Sequence, residues 1–317
     1  MNYYKKIVLG FIGLYIFGVA IDIFISKTFL KSNLFYGEYN VWNDILNKNV
    51  DDDLIIYGSS RSFVHINPEI LDEELNVNSY NLGLNGHKIK FQKYRHDLAL
   101  SNNLKPKNVI INLDINALID VEPYSARQFL PMLFFNKYLY DLLDDSLDIS
   151  KWDLFIPLIR YREFDMKPSE FFMEMYKVYM YSNYDQYKRK KGFIGNESDW
   201  EPGVSKCENI KLSVNRIQDL IDIIEDLKKI NANIILINSP EYITQIESEI
   251  NRQEIIDLYT KISDKYNIPF IDYSNDSINY QKDLFYNTDH LNAKGANIFT
   301  KKLVEDIKPH IKYSEVF

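Results

Sequence analysis

Short, unbroken apolar runs constrain this chain more than any other feature. Leu54-Ile-Ile-Tyr57, Asn108–Leu113 with Val109, Ile110 and Ile111 at its centre, and Asn233–Ile237 are each too short to be an independent helix. None alternates apolar with polar residues, so each reads as a strand covered on both faces, as in a parallel sheet. Two weaker strand signals, Ser79–Leu82 and Pro269–Tyr273, complete a set of five. Between them lie segments with apolar residues at helical spacing: Pro68–Leu75, with proline in its first turn, Lys88–Leu100, Val214–Ile230, Ile246–Tyr266 and Ala293–Ile307. Strands separated by helices predict an α/β fold, a three-layer sandwich around a five-stranded parallel sheet.

The alternation is interrupted twice. Residues 117–207 carry helical patterns, many aromatics and no strand signal, and are expected to form a helical insertion between the third and fourth strands. Its basic run, Lys188-Arg-Lys-Lys191, is expected to be a solvated loop. At the other interruption, Ile7–Ile21 is free of charge and apolar character resumes after Asp22 through Ile25. As a helix, Ile7–Ile25 is roughly 28 Å long, close to the thickness of a bilayer's hydrocarbon core. Gly10, Gly13 and Gly18 suit a membrane helix, and Ile25-Ser26-Lys27-Thr28-Phe29 does not resemble a small-residue cleavage site. The expected organisation is therefore an uncleaved anchor over 1–27, a connector over 28–50, and an α/β domain over 51–317. Flanking charge favours a domain on the outer side of the cytoplasmic membrane.

A net charge of −8 argues against a nucleic-acid partner, and the single Cys207 excludes an internal disulfide. His65, His87, His96 and His310 are scattered without the i, i+4 pairing or carboxylate company of metal ligands, and no motif calls for a cofactor.

Chemistry concentrates at the strand ends, where doubly wound sheets bind ligands. The first strand runs into Gly58-Ser-Ser-Arg61, the second into Asn81-Leu-Gly-Leu-Asn-Gly86, and the third into Asn112-Leu-Asp-Ile-Asn116. The last helix is preceded by Asn287-Thr-Asp-His290-Leu-Asn292. These four blocks, in this order, resemble those of the SGNH hydrolases, also called GDSL esterases. The resemblance covers about residues 52–310 outside the insertion and implies a flavodoxin-like fold. By position it makes Ser60 the nucleophile and His290 its base, with oxyanion donors from the Ser60 and Gly86 amides and the Asn116 side chain. One departure stands out: Asn287 occupies the position of the family's histidine-orienting carboxylate, and Asp289 is the nearest carboxylate that could replace it. Three outcomes follow: a Ser-His-Asn triad, a dyad assisted by Asp289, or an impaired site. Arg61 and Glu241, at the same rim, are candidate substrate contacts.

The anchor and these blocks together are similar to SGNH-like proteins that modify envelope polymers, by D-alanylation of teichoic acids or O-acetylation of polysaccharides, often beside a membrane-bound O-acyltransferase. The resemblance thus implies serine-dependent acyl transfer or ester hydrolysis on a cell-envelope glycan. The alternative is a catalytically impaired module that binds glycan or an integral-membrane O-acyltransferase.

Overall fold

A computed structural model describes the chain except residues 1–2, 33, 122, 144–145, 165, 181–188, 202, 204–206 and 314–317. In chain order its elements are α1 (Tyr3–Phe29), α2 (Glu38–Leu46), β1 (Leu54–Tyr57), α3 (Ser60–His65), α4 (Pro68–Leu75), β2 (Ser79–Asn81), α5 (Ile89–Ser101), β3 (Asn108–Asn112), α6 (Lys137–Leu143), α7 (Pro168–Met180), α8 (Val214–Lys229), β4 (Asn233–Asn238), α9 (Ile243–Ser248), α10 (Arg252–Tyr266), β5 (Phe270–Asp272) and α11 (Ala293–Ile307). They fall into two compact units, one of residues 1–43 and 122–188, the other of residues 44–121 and 189–317.

The second unit holds a five-stranded, wholly parallel sheet in the order β2-β1-β3-β4-β5. This is the flavodoxin-like order, and its topological switch point lies between β1 and β3, where the two crossovers diverge. The continuous apolar runs are the reason for the parallel sheet. Leu54, Ile55, Ile56, Ile110 and Ile235 are fully buried on both faces, each contributing about 1.5–3 kcal/mol. On one face α4 and α11 cover β1 and β3, with Leu71, Phe299 and Leu303 in the same apolar cluster as Leu54 and Ile110.

Local signals set the helix ends. Asn67 caps α4 by accepting from the Glu69 N–H at 3.1 Å, with Pro68 in the first turn. Asn76 and Asn267 end α4 and α10 in the left-handed conformation. Two expectations need correction. The predicted helix Ile246–Tyr266 is two helices, broken where Glu249 turns extended and its carboxylate pairs with Arg252. The basic run is solvated only in part: Lys190 is exposed, but its neighbours are engaged by the protein. Arg189 is buried, stacks over Phe63 at 3.6 Å and donates to the Gly83 carbonyl at 2.8 Å; Lys191 pairs with Asp72 at 2.5 Å. Lys188 lies outside the described residues.

The first unit contains the one helix, among the described residues, that is long and apolar enough to cross a membrane, α1. It has two regimes. From Tyr3 to Phe17 every residue is exposed, whereas Asp22, Ser26 and Phe29, spaced as one helical face, are buried within this unit. Phe29 stacks on Phe164 at 4.9 Å and meets Phe171 edge-on at 4.8 Å.

Candidate active site

Gly58 ends β1 with φ +145°; a Cβ there would collide with the Ser62 hydroxyl and sit 2.7 Å from the Asn112 carbonyl oxygen. Only glycine lets the chain turn so tightly between β1 and β3. Ser59 then caps α3, accepting from the Arg61 N–H at 3.2 Å, and Ser60 is the first residue of that helix. The helix is too short and aperiodic to be read from residue spacing.

At the far end of the chain, Asn292 caps α11 by accepting from the Gly295 N–H at 2.9 Å, which fixes the preceding loop. That loop places His290 Nε2 2.8 Å from Ser60 Oγ. Nδ1 of the same ring lies 2.9 Å from Asn287 Oδ1. Asn287 Oδ1 also accepts the backbone N–H groups of Asp289 and His290, both at 2.9 Å. Two backbone donors identify this atom as the amide oxygen, so Nδ1 must carry the proton and Nε2 presents its lone pair to Ser60. An asparagine therefore selects the tautomer a general base needs.

Asp289, the other candidate for this contact, does not take it. Its side chain diverges from that of its neighbour, as adjacent side chains do, and lines the cleft instead. Burial, then the nearby Glu241 carboxylate, raises its pKa to about 6. Desolvation and the Arg61 guanidinium lower that of His290 to about 4, with Asp114 pulling the other way. The His290 ring is stacked on Tyr286, centroids 5.3 Å apart.

The cleft above Ser60 and His290 has a volume of about 310 Å³ and a polar lining, with Ile210 as its apolar wall. Asn116 lines it, and the Lys88 ammonium donates to Asn116 Oδ1, leaving the Nδ2 hydrogens for another acceptor. Burial holds the Lys88 pKa below its ordinary value. Gly86, in a turn at φ +67°, is not among the lining residues. Arg61 and Glu241 both line the cleft but engage each other at 3.0 Å. Arg61 also lies 3.4 Å from Asp114, and Glu241 is 2.7 Å from Arg252, which in turn holds Glu249. Their charges are balanced internally, so neither is a free receptor for a substrate ion. Burial and Glu241 push Glu249 up to about 7.

Sequence reasoning passed over His65. It is fully buried at the end of α3; Nε2 accepts the Leu291 N–H at 3.0 Å, so Nδ1 donates to Ser239 Oγ at 3.1 Å. Ser239 is held in turn by Asn112 through two 3.1 Å bonds. One buried imidazole thus ties the catalytic-loop candidate to the ends of β3 and β4. Burial, Arg61 and His290 keep its pKa well below the ordinary value, so it stays neutral. Among the described residues one group of metal-ligating types lies together: His96, expected to lack carboxylate company, is beside Asp97 and Asp226, and the Lys93 ammonium sits against both carboxylates.

No known family profile matches the chain, and no curated protein matches its sequence. Among solved structures it is similar to a protein assigned to the G-D-S-L lipolytic family from Desulfitobacterium hafniense DCB-2, at 11% identity over 80% of this chain and 98% of that one, with a TM-score of 0.41. It is also similar to a catalytic mutant of an acetylxylan esterase from Geobacillus stearothermophilus, at 12% identity over 81% of this chain and 94% of that one, TM-score 0.41. At such values the likeness decides nothing about this chain's chemistry, which rests on the site itself.

Proposed function

We propose that this protein is a serine esterase or O-acyltransferase of SGNH type, anchored in the cytoplasmic membrane by α1 and acting outside it on O-acyl groups of a cell-envelope polysaccharide. The observation that carries the reading is the continuous relay from Ser60 Oγ through His290 to Asn287, assembled at the switch point of the sheet.

In this mechanism Ser60 Oγ attacks the acyl carbonyl as its proton passes to His290 Nε2. The resulting oxyanion is held by Asn116 Nδ2 and the Ser60 amide, with the Gly86 amide as the third donor implied by the resemblance. Collapse breaks the acyl–oxygen bond, and the imidazolium returns its proton to the departing alcohol. The acyl-serine ester is then resolved by water, giving hydrolysis, or by a sugar hydroxyl, giving transfer; His290 takes the proton of either and returns it to Ser60 Oγ as the acyl–serine bond breaks. An integral-membrane O-acyltransferase fits as the partner that supplies acyl groups in the transfer case.

A fluorophosphonate probe tests this directly. Labelling of wild type, lost in Ser60→Ala and His290→Ala with melting temperature retained, is the expected result. No labelling of a folded wild type would favour a module that binds glycan or a membrane partner.

A further inference from the structure

The exposed apolar segment around Phe155 has no place on a water-facing surface. Trp152 is 76% exposed, with Phe155, Ile156 and Ile159 exposed beside it. Its course is tied to α1 at three levels. The Leu158 N–H donates to Asp22 Oδ2 at 2.6 Å, Pro157 packs on Gly18, and the Tyr15 hydroxyl donates to the Phe155 carbonyl at 2.8 Å. The segment therefore runs back along the helix from Asp22 to Tyr15, a distance of about 10 Å at the helical rise.

Asp22 sets where a bilayer would end. Arg160 grips it with two 2.6 Å bonds and also donates to the Leu130 carbonyl at 2.6 Å, and Ser26 and Tyr161 join the same cluster. An ion pair held this firmly by protein belongs at or beyond the hydrocarbon boundary, not at the bilayer centre. Upstream of it, the charge-free stretch Ile7–Ile21 is about 22 Å of helix, and the long side chains of Lys5 and Lys6 before it reach the far interface, so the helix crosses the hydrocarbon core without the residues after Asp22. Phe155 and Ile156 then lie below the boundary.

Several backbone groups there are paired within the protein, as lipid requires of polar groups. The Phe155 N–H bonds to the Trp152 carbonyl at 2.9 Å, its carbonyl takes the Tyr15 hydroxyl, residue 157 is a proline with no N–H, and the Leu158 N–H is on Asp22. The Tyr15 hydroxyl, otherwise a polar group facing acyl chains, is used in the same bond.

We infer that the segment from Trp152 to Ile159 is a membrane-dipping wedge, inserted among lipid acyl chains beside α1 to a depth of about 10 Å. The inference rests on the reading of α1 as a membrane span. Its occupant is the bilayer, not a protein.

The test uses the full chain in phosphatidylcholine vesicles whose acyl chains are brominated midway. Phe155→Trp is placed in a Trp152→Phe background, with Ile156→Trp as a second reporter, and the emission of the Trp152→Phe parent is subtracted. The reporter's emission should be quenched at least about twofold by brominated lipid and be poorly reached by aqueous acrylamide. Acrylamide quenching without bromine quenching, in protein that survives alkaline extraction, would overturn the wedge while leaving the anchor intact; a face reserved for a protein partner gives that result. Release by alkaline extraction would overturn the anchor and the wedge with it.

Discussion

Replacing Asn287 by aspartate puts a full charge where the protein has an amide oxygen, 2.9 Å from His290 Nδ1. With the charge about 4 Å from the ring and an effective dielectric near 20, the carboxylate favours the imidazolium by about 4 kcal/mol. At about 1.4 kcal/mol per unit, that is a rise of nearly 3 pKa units. The new carboxylate inherits the Asp289 and His290 N–H donors, which favour its ionised form. His290, held near 4 in the wild type, should therefore titrate at about 7 in Asn287→Asp. NMR of the imidazole Cε1–H reads this directly. Because the base must be neutral to act, the acid limb of kcat/KM should move upward by the same amount. Well above that limb the variant should be faster by about tenfold to a hundredfold, less than triads gain from a carboxylate, since the tautomer here is already correct. Stability follows the same titration. The wild-type fold resists protonating His290 until about pH 4, whereas the unfolded chain takes the proton near 6.5, so wild-type stability falls as pH drops through that window. The loss is about 3 kcal/mol, and the variant should escape most of it. A His290 pKa that moves by less than about one unit would refute the reasoning, because residue 287 would then not face Nδ1.

Asn116→Ala should lower kcat by about a hundredfold or more, with little change in KM or melting temperature, in ester-hydrolysis kinetics. His65→Phe keeps the ring's bulk but leaves the Leu291 N–H without its acceptor and takes one of two donors from Ser239 Oγ; a loss of about 1–3 kcal/mol in urea unfolding is expected, together with a fall in fluorophosphonate labelling of Ser60. Asp289 has its pKa raised to about 6, so its contribution is lost as pH rises through 6, and Asp289→Asn should raise urea stability at pH 8 by about 2 kcal/mol but leave it unchanged at pH 4.

The strands were legible because sheet burial leaves an unambiguous pattern. Leu54–Tyr57 is covered on both faces, and its sequence is apolar without a gap. The four blocks were legible because each sits next to a strand or helix end that the chain also announces. What stayed hidden depends on distant partners. His65 acts through Leu291, 226 positions away, and nothing around His65 marks it. Arg189 reads as one of a row of solvated cations until Phe63 and the Gly83 carbonyl appear beneath it. The break between α9 and α10 goes with backbone pairing of Ser248 and Ile250 to Glu208, about 40 positions earlier, which helical spacing alone does not reveal.

Motifs name reacting groups, and the geometry of this cleft shows how little they say about aim. His290 is aimed by an amide that two backbone N–H groups have already oriented. The loop bearing it is pinned by His65, and Asn116 is turned by Lys88. Each aiming group is neutral or, like Lys88, spends its charge on a neutral acceptor, while the formal charges of Arg61, Glu241 and Arg252 are paired among themselves. A relay built this way does not depend on a buried carboxylate beside the histidine. In a cleft where Asp289 and Glu249 are already pushed toward their protonated forms, one more negative charge would have to be accommodated among like charges. Asparagine at 287 gives the imidazole its orientation without adding to that repulsion, which is a physical reason for the departure from the usual pattern.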